Sequence, residues 1–460
     1  MAASEFYAER LAKLVTSTRF SDFDLATLDK TRIHILDTLG VMLAGADSDE
    51  TTLALRAMAG ELSIGQALIV GHDRYCSGRD AAMINGISAH ALELDDSGGC
   101  DHSGAVVLPA VLAALAKVES AVNGKLFLQA VILGYEVGRR VLEATGGYES
   151  HNAQGWHSTG TCGVFGAAVA CAVLLELDTK QVQAALGIAA SFAGGTWSFI
   201  HDGSQTKKLH AGRAAEGGYM AAHLAKAGMS GPNQIFENDS WGSFLSSFNQ
   251  SEHHADDLIT EFGQYWRVNR CSIKPYATCR GTHSAIDSLR YIQSEHGIKT
   301  SEIADITVVI CPFQAGMCAG TQINSRAQAQ MSIAYALCSW LEFNEVGLSQ
   351  LEAQTWQGDW WSHWMAKVSF QLDDSMADNE EPVIQVTDIH GNVFSHSQRP
   401  LGSPQNPLSM AQIIEKFQSV TSHCLDASLS QQLIDCVRSI EQADDVHSLL
   451  PLVAKRSERT

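Results

Sequence analysis

The chain lacks the features of a nucleic-acid-binding or membrane protein. Its 51 acidic residues outnumber its 31 basic ones, and the formal net charge is −20. Nucleic acids and anionic membranes both require a basic surface. No apolar run is long enough to cross a bilayer, and no apolar stretch follows a basic segment at the N-terminus as a signal peptide would require. The sequence therefore predicts a cytoplasmic protein with neither nucleic acid nor membrane as a partner.

Several motifs of common enzyme classes are also missing. The chain has no P-loop, no strand-linked G-x-G-x-x-G, no G-x-S-x-G elbow and no H-E-x-x-H pair. Its 11 cysteines form no C-x-x-C pair, and an odd number of scattered cysteines favours reduced thiols over a disulfide framework. We therefore expect no nucleotide cofactor and no metal, and we expect most cysteines to be small core residues.

What the first half does contain is one helical pattern after another. In Asp24–Gly45, apolar residues recur at spacings of three, four and seven, which places them on one helical face. Other segments are apolar nearly all round, which indicates helices buried between other helices. The predicted helices are Ala105–Val122, Phe127–Ala144, Thr161–Leu177, Lys180–Phe192 and Arg213–Gly228.

The pattern changes near residue 265. Short β-branched or alternating runs follow at Ile306–Ile310, Lys367–Leu372 and Val383–Val386, and a His-Gly-Asn turn precedes Val393. Helical patterns separate these strands, and the chain is helical again after Ser409. The sequence therefore predicts a mixed α+β unit within an otherwise helical protein.

The segment Ala91–Pro109 carries an unusual polar cluster. Three acids, Glu93, Asp95 and Asp96, crowd a turn that begins with Ser97, and Asp101 and His102 follow directly before an apolar helical run. Such a cluster is costly to build for stability alone. It indicates a site where protons or carboxylates are handled.

Three further segments combine histidine with cations or small residues. They are residues 155–160 (GWHSTG, with His157), residues 206–213 (TKKLHAGR, with Lys207 and His210) and residues 274–283 (KPYATCRGTH). Taken singly, a histidine near a helix start usually caps or packs, a Lys-Lys pair is usually exposed, and a single cysteine is usually a buried small residue. Basic clusters at helix starts in an acidic protein instead indicate a site for a di- or tricarboxylate. Two classes stay open: an acid–base enzyme, and a non-catalytic scaffold that binds small acids.

In these segments the sequence resembles the MmgE/PrpD family. The matching pieces occur in the family's order over nearly the whole chain: HALELDD, HSGAVVLPA, GWHSTGTCG, TKKLHAGRAAEGG, MSGP, KPYATCRGTH, QMSIAYAL and RPLGSP. The resemblance implies a mainly α fold, with a large all-helical domain (1–265 and 405–460) and a smaller inserted α+β lid domain (266–404). It also implies a homodimer and a site that needs no metal or organic cofactor.

The resemblance also assigns roles to residues of the four segments. The implied catalytic residues are His102, His157 and Lys207. The implied substrate-binding residues are Glu93, Asp95, Asp96, Ser97, His210, Lys274, Cys279 and Arg280.

The implied activity is that of a lyase acting on a polycarboxylate of the citrate or aconitate type. Decarboxylation of cis-aconitate to itaconate is preferred, with dehydration of 2-methylcitrate or epimerisation of an amino or imino dicarboxylate as alternatives. Dehydratases of the family mostly have Asp-His where this chain has Trp156-His157, which favours the other branches. Some decarboxylases have a histidine at the position of Cys279; a cysteine is expected in fungal-type relatives.

Overall fold

The fold is mainly α, as the sequence predicts. The computed structural model describes residues 5–62, 64–238 and 240–454 of the 460-residue chain. The chain forms two compact units: the first comprises Met1–Trp197, Thr206–Ile273 and Ser409–Thr460, and the second comprises Ser198–Gln205 and Lys274–Leu408. No change in the residue pattern marks Ser198–Gln205 as part of the second unit.

The first unit consists of helices and one short hairpin. The hairpin pairs Ala67–Ile69 with Arg74–Cys76. The helices are Tyr7–Ser17, Leu25–Gly45, Asp49–Ala57, Gly78–His90, Ser103–Leu115, Gly124–Ala144, Gly147–Ala153, Ser158–Thr161, Gly163–Leu174, Thr179–Ala189, Thr206–Lys226, Phe244–Phe248, Met410–Thr421, Ala427–Arg438 and Leu450–Ala454.

The most apolar of these helices form the centre of the unit, as their composition predicts. Every residue of Ser103–Leu115 is buried, and so are all but one of Gly163–Leu174. Helix starts follow ordinary capping chemistry: the Asp24 carboxylate accepts a hydrogen bond from the backbone N–H of Thr27 at 2.7 Å. The predicted helix over Ala105–Val122 begins and ends earlier than expected, at Ser103 and Leu115.

Two glycines allow the helices that carry much of the polar cluster to approach closely. A Cβ on Gly86 would lie 2.8 Å from Gly212 Cα, and one on Gly212 would lie 2.4 Å from the Met83 carbonyl oxygen. Neither position has room for a side chain. This contact brings Gly78–His90, which ends in a histidine, against Thr206–Lys226, which begins with two lysines beyond a threonine.

The second unit contains a four-stranded sheet. Its order is Val368–Leu372, Ile303–Ile310, Val383–Asp388, Val393–His396, with the first pair parallel and the others antiparallel. The helix His283–His296 packs against the last two strands. The other helices are Phe199–Asp202, Pro312–Cys318, Arg326–Met331, Ile333–Phe343, Ala353–Trp356 and Ser362–Met365.

All predicted strands are present, with bounds that differ by up to three residues at either end. In the described part of the chain, no helix is both long enough and apolar enough to span a membrane.

Candidate active site

Five pieces of the first unit bring the polar cluster together. They are the end of the helix Gly78–His90, the loop Ala91–Asp101, the start of Ser103–Leu115, the residues before Ser158–Thr161, and the start of Thr206–Lys226. His90, Asp95 and His157 are completely buried, and His102 is 3% exposed. Ionisable groups buried this deeply must pair with one another.

Histidines and aspartates alternate through the centre of the site. His90 Nδ1 lies 3.0 and 3.1 Å from the two carboxylate oxygens of Asp95. Asp95 Oδ2 lies 3.0 Å from His102 Nδ1. On the other side of the ring, His102 Nε2 lies 3.3 Å from Asp101 Oδ2, and that oxygen lies 3.8 Å from His157 Nε2. His157 Nδ1 is hydrogen-bonded to His210 Nδ1 at 2.9 Å.

Among the described histidines of this group, His102 is the one with a carboxylate oxygen within 3.3 Å of each ring nitrogen. Its Nδ1 also faces the Asp96 carbonyl oxygen at 2.8 Å. Carboxylate and carbonyl oxygens accept hydrogen bonds but do not donate them, so both ring nitrogens are best satisfied when each carries a proton. The surroundings therefore favour an imidazolium, which is the form a general acid needs before it protonates carbon.

The carboxylate of Asp96 points toward different partners. It accepts hydrogen bonds from Tyr135 Oη at 2.6 Å, His34 Nδ1 at 2.8 Å and the Gly104 backbone N–H at 2.9 Å. These bonds engage both oxygens and join the loop to neighbouring helices. Asp96 thus orients His102 through its backbone carbonyl, while its side chain holds the loop in place.

Two buried lysines share one carboxylate oxygen. Lys207 Nζ lies 2.6 Å from Glu93 Oε1, and Lys208 Nζ forms an ion pair with the same oxygen. All three side chains are at most 5% exposed. Glu93 carries one negative charge against two positive ones, so these three side chains together are net positive, and Lys207 also interacts with the Asp101 anion.

Trp197 and Gly195 shape the His157 side of the site. The Trp197 ring makes an edge contact with His157 at a centroid distance of 5.1 Å, and Lys207 Nζ lies 6.0 Å from its centroid. Gly195 has φ +126°, and a Cβ there would lie 2.9 Å from His210 Cγ. Only glycine fits this conformation and this spacing, so the packing of His210 depends on it.

Two of the acids have a left-handed backbone conformation that acidic residues seldom adopt. Glu93 has φ 52° and Asp101 has φ 112°. Such conformations cost free energy and persist where the surroundings enforce them, often at functional sites. Here they direct one carboxylate to the lysines and the other between two histidines.

Burial controls the protonation of most groups around His102. It lowers the pKa of His90 to about 3, despite the opposing charge of Asp95, and places the pKa of His157 well below its usual value. Burial and then Lys207 lower the pKa of His210 to about 4. These three histidines are therefore neutral at pH 7.

Two further groups of the site have shifted pKa values. Burial would raise the pKa of Asp101, but His102, His157 and Lys207 outweigh it, and its pKa lies well below the usual range. Burial lowers the pKa of Lys208 to about 8, although Glu93 acts in the opposite direction. Asp101 is thus a stable anion, whereas Lys208 is close to losing its proton at neutral pH.

The remaining predicted site residues have the following surroundings. Ser97 is buried, and its backbone pairs with Ser272. In the second unit, Lys274 is 1% exposed, and Cys279 is partly exposed and forms no disulfide. Arg280 forms a bidentate pair with Glu381 at 2.6 and 2.8 Å, so its guanidinium is already engaged.

The sequence analysis assigned no role to three residues that the structure places in the cluster: His90, Asp101 and Lys208. A signal for His90 is present, since it precedes Glu93 and Asp95 by three and five residues. Lys208 adjoins a predicted catalytic lysine, and the expectation that a Lys-Lys pair is exposed fails here because both side chains pair with buried Glu93.

Among the residues that the structure describes, two groups of histidine and aspartate side chains are close enough together to surround a metal ion. They are His90, Asp95 and His102, and Asp101, His102 and His157, each with ligand atoms within 4.8 Å of one another. Neighbouring ligand atoms in a tetrahedral zinc site lie about 3.3 Å apart. Both Nδ1 atoms of the first group lie closer than that to Asp95, at 3.0 Å. His90 Nδ1 is hydrogen-bonded to Asp95 and His102 Nδ1 to the Asp96 carbonyl oxygen, so a metal bound at these two nitrogens would require both protons to leave.

Comparisons with known proteins identify the family of the chain. The model of the MmgE/PrpD N-terminal domain matches residues 9–255, and that of the C-terminal domain matches residues 276–442. A cis-aconitate decarboxylase-like protein, oryM, of Aspergillus oryzae is 29% identical, over 96% of each chain. The cis-aconitate decarboxylase of Aspergillus terreus is 26% identical over 94% of this chain and 92% of its own.

The cis-aconitate decarboxylase of Homo sapiens is 24% identical, over 93% of this chain and 90% of its own. The matched family and the names of these relatives point to a lyase. The chain belongs to the MmgE/PrpD family.

Proposed function

We propose that the protein is a lyase that decarboxylates cis-aconitate to itaconate. The observation that carries the proposal is the position of His102 between Asp95 and Asp101, in the same buried cluster as two lysines that share one glutamate. A protonated histidine supplies an acid, and the excess cation supplies a partner for a carboxylate. The names of the relatives support cis-aconitate as the substrate.

The proposed reaction needs one bond cleavage and one proton transfer. The bond from the substrate methylene to its carboxylate breaks, and its electron pair forms the new double bond of itaconate. The former double-bond pair moves to the carbon beside a second carboxylate, where the charge is delocalised. His102 then delivers a proton to that carbon, and carbon dioxide leaves.

The lysines stabilise the developing charge in this scheme. A cation lowers the barrier only if it binds the carboxylate more strongly as charge builds up than it does in the substrate. Lys207 is the proposed partner, and Glu93 and Lys208 fix its position. Lys274 and Cys279 remain proposed substrate contacts. Arg280 is also a proposed contact, but it must release Glu381 before it can bind a substrate carboxylate.

The experiment that tests the proposal is incubation of the purified protein with four acids, followed by proton NMR. The acids are cis-aconitate, 2-methylcitrate, citrate and iminodisuccinate. Itaconate from cis-aconitate supports the proposal. Methylaconitate from 2-methylcitrate would show dehydration instead, and an epimerised product would show epimerisation. Stabilisation by one of the acids without turnover would show a binding function.

We also propose that the protein is a cytoplasmic homodimer. The family resemblance supports the dimer, and the free thiols of all 11 cysteines fit a reducing compartment. Light scattering coupled to size-exclusion chromatography tests the dimer, and a monomer mass at assay concentration contradicts it.

A further inference from the structure

His90 lies next to His102, the proposed acid, and is not among the site residues predicted from the sequence. It is the last residue of the helix Gly78–His90 and is completely buried. Its ring centroid lies 4.2 Å from that of His102. The two rings do not bond each other directly; both Nδ1 atoms instead face the carboxylate of Asp95.

The protonation state of His90 follows from these contacts. A carboxylate accepts but does not donate, so the His90 proton lies on Nδ1, between the ring and Asp95. Burial keeps the ring neutral at neutral pH, and Nε2 therefore carries a lone pair. That atom is buried with no hydrogen-bond partner, 3.8 Å from Glu93 Oε1.

We propose that His90 is a positioning residue that fixes the Asp95 carboxylate and thereby the orientation and proton affinity of His102. The inference rests on the proposed role of His102 as the acid. Asp95 accepts a hydrogen bond from His90 Nδ1 and lies 3.0 Å from His102 Nδ1, so its negative charge acts on both rings. Without the His90 donor, the Asp95 carboxylate loses this hydrogen bond, and its position and its charge relative to His102 change.

Only a few charged groups of the described chain surround His90 and His102. His90 faces Asp95, His102, Glu93 and Lys208, which are the charged groups that act on its proton affinity. His102 additionally faces Asp101, with the neutral His157 ring at a centroid distance of 6.2 Å. Because His90 stays neutral, it acts on His102 through a hydrogen bond and not through its own titration.

Two amide variants separate this role from simple packing. The side-chain nitrogen of asparagine can occupy the place of histidine Nδ1, whereas that of glutamine reaches toward the place of Nε2. His90→Asn therefore retains a donor to Asp95, and His90→Gln, of similar size and polarity, loses it. Thermal unfolding of both variants checks that each is folded.

The expected kinetic result is a difference in kcat with cis-aconitate. General acid catalysis contributes about 10²–10⁴-fold to a rate. We expect His90→Gln to lose at least ~10-fold in kcat with KM nearly unchanged and with a shifted pH profile, because the acid is misplaced. His90→Asn keeps most of the activity and the original profile. Equal kcat values and pH profiles for the two folded variants overturn the proposal.

A measurement without substrate makes this test independent of the proposed reaction. Selective ¹⁵N-histidine labelling, with the His102 signals assigned by their loss in His102→Gln, reports the protonation of both ring nitrogens. We expect the titration of His102 to move in His90→Gln and to stay in place in His90→Asn. An unchanged titration in both overturns the role of His90; absence of turnover by the wild-type protein overturns only the proposed function.

Discussion

Substitution of Glu93 by glutamine tests how strongly this carboxylate stabilises the two buried lysines. The carboxylate is completely buried and pairs with both Lys207 and Lys208 through one oxygen. Removing one partner of a buried ion pair costs about 3–5 kcal/mol, because the other charge is left uncompensated. Here two ammonium groups lose the same partner, so we expect Glu93→Gln to lower the free energy of unfolding by about 5 kcal/mol, the upper end of that range.

The assay is urea denaturation followed by circular dichroism at pH 7, with Glu216→Gln as the control. Glu216 pairs with Arg213 on the helix that also carries the lysines, but the Arg213 side chain is 45% exposed. An exposed pair contributes about 0–1 kcal/mol. The double variant Glu93→Gln, Lys208→Met removes one of the two ammonium groups that lose Glu93 and recovers part of the loss.

A loss below about 1 kcal/mol in Glu93→Gln, no larger than that of the control, refutes the reasoning. It means that solvation by water or a second anionic group already stabilises the lysine charges. The same result removes the basis for an excess positive charge at the site.

Two further predictions concern the rate and the dependence on pH. Lys207→Ala lowers kcat by at least ~100-fold, as expected when a donor that stabilises developing charge is removed; near-normal turnover by the folded variant contradicts its role. The free energy of unfolding falls as the pH drops below 6.5. In the unfolded chain His90 and His210 bind protons in this range. In the folded protein they do not, because their pKa values are about 3 and 4. Between pH 6.5 and 5 each contributes a loss of about 2 kcal/mol, measured by urea denaturation across this range. His210→Gln should remove its share of the slope, and a flat profile contradicts the assignment.

The sequence predicts the helices well where their apolar faces are long. Leu25–Gly45 and Gly124–Ala144 lie where the periodicity places helices, because packing in the helical unit matches their local preference. The hairpin Ala67–Cys76 escapes prediction because each of its strands has only three residues, too few for an alternating pattern. The segment Ser198–Gln205 joins the second unit through long-range packing that no local pattern reveals.

The sequence indicates which residue types gather in the polar cluster, but not which side chains contact one another. The sequence locates the acids, His102 and Lys207 because they are concentrated in short polar segments. It does not show that Asp96 turns its carboxylate toward His34 and Tyr135, since those partners come from distant helices. These contacts hold the loop in place, and the fold alone provides them.

The most direct test of the central claim is turnover of cis-aconitate in D₂O by the wild-type protein and by His102→Gln, followed by proton NMR. The account predicts itaconate with one deuterium on the saturated methylene carbon from the wild-type protein. From folded His102→Gln it predicts a rate lower by about 10²-fold or more. Undiminished formation of the same labelled itaconate by His102→Gln would show that another group delivers the proton and would contradict the account.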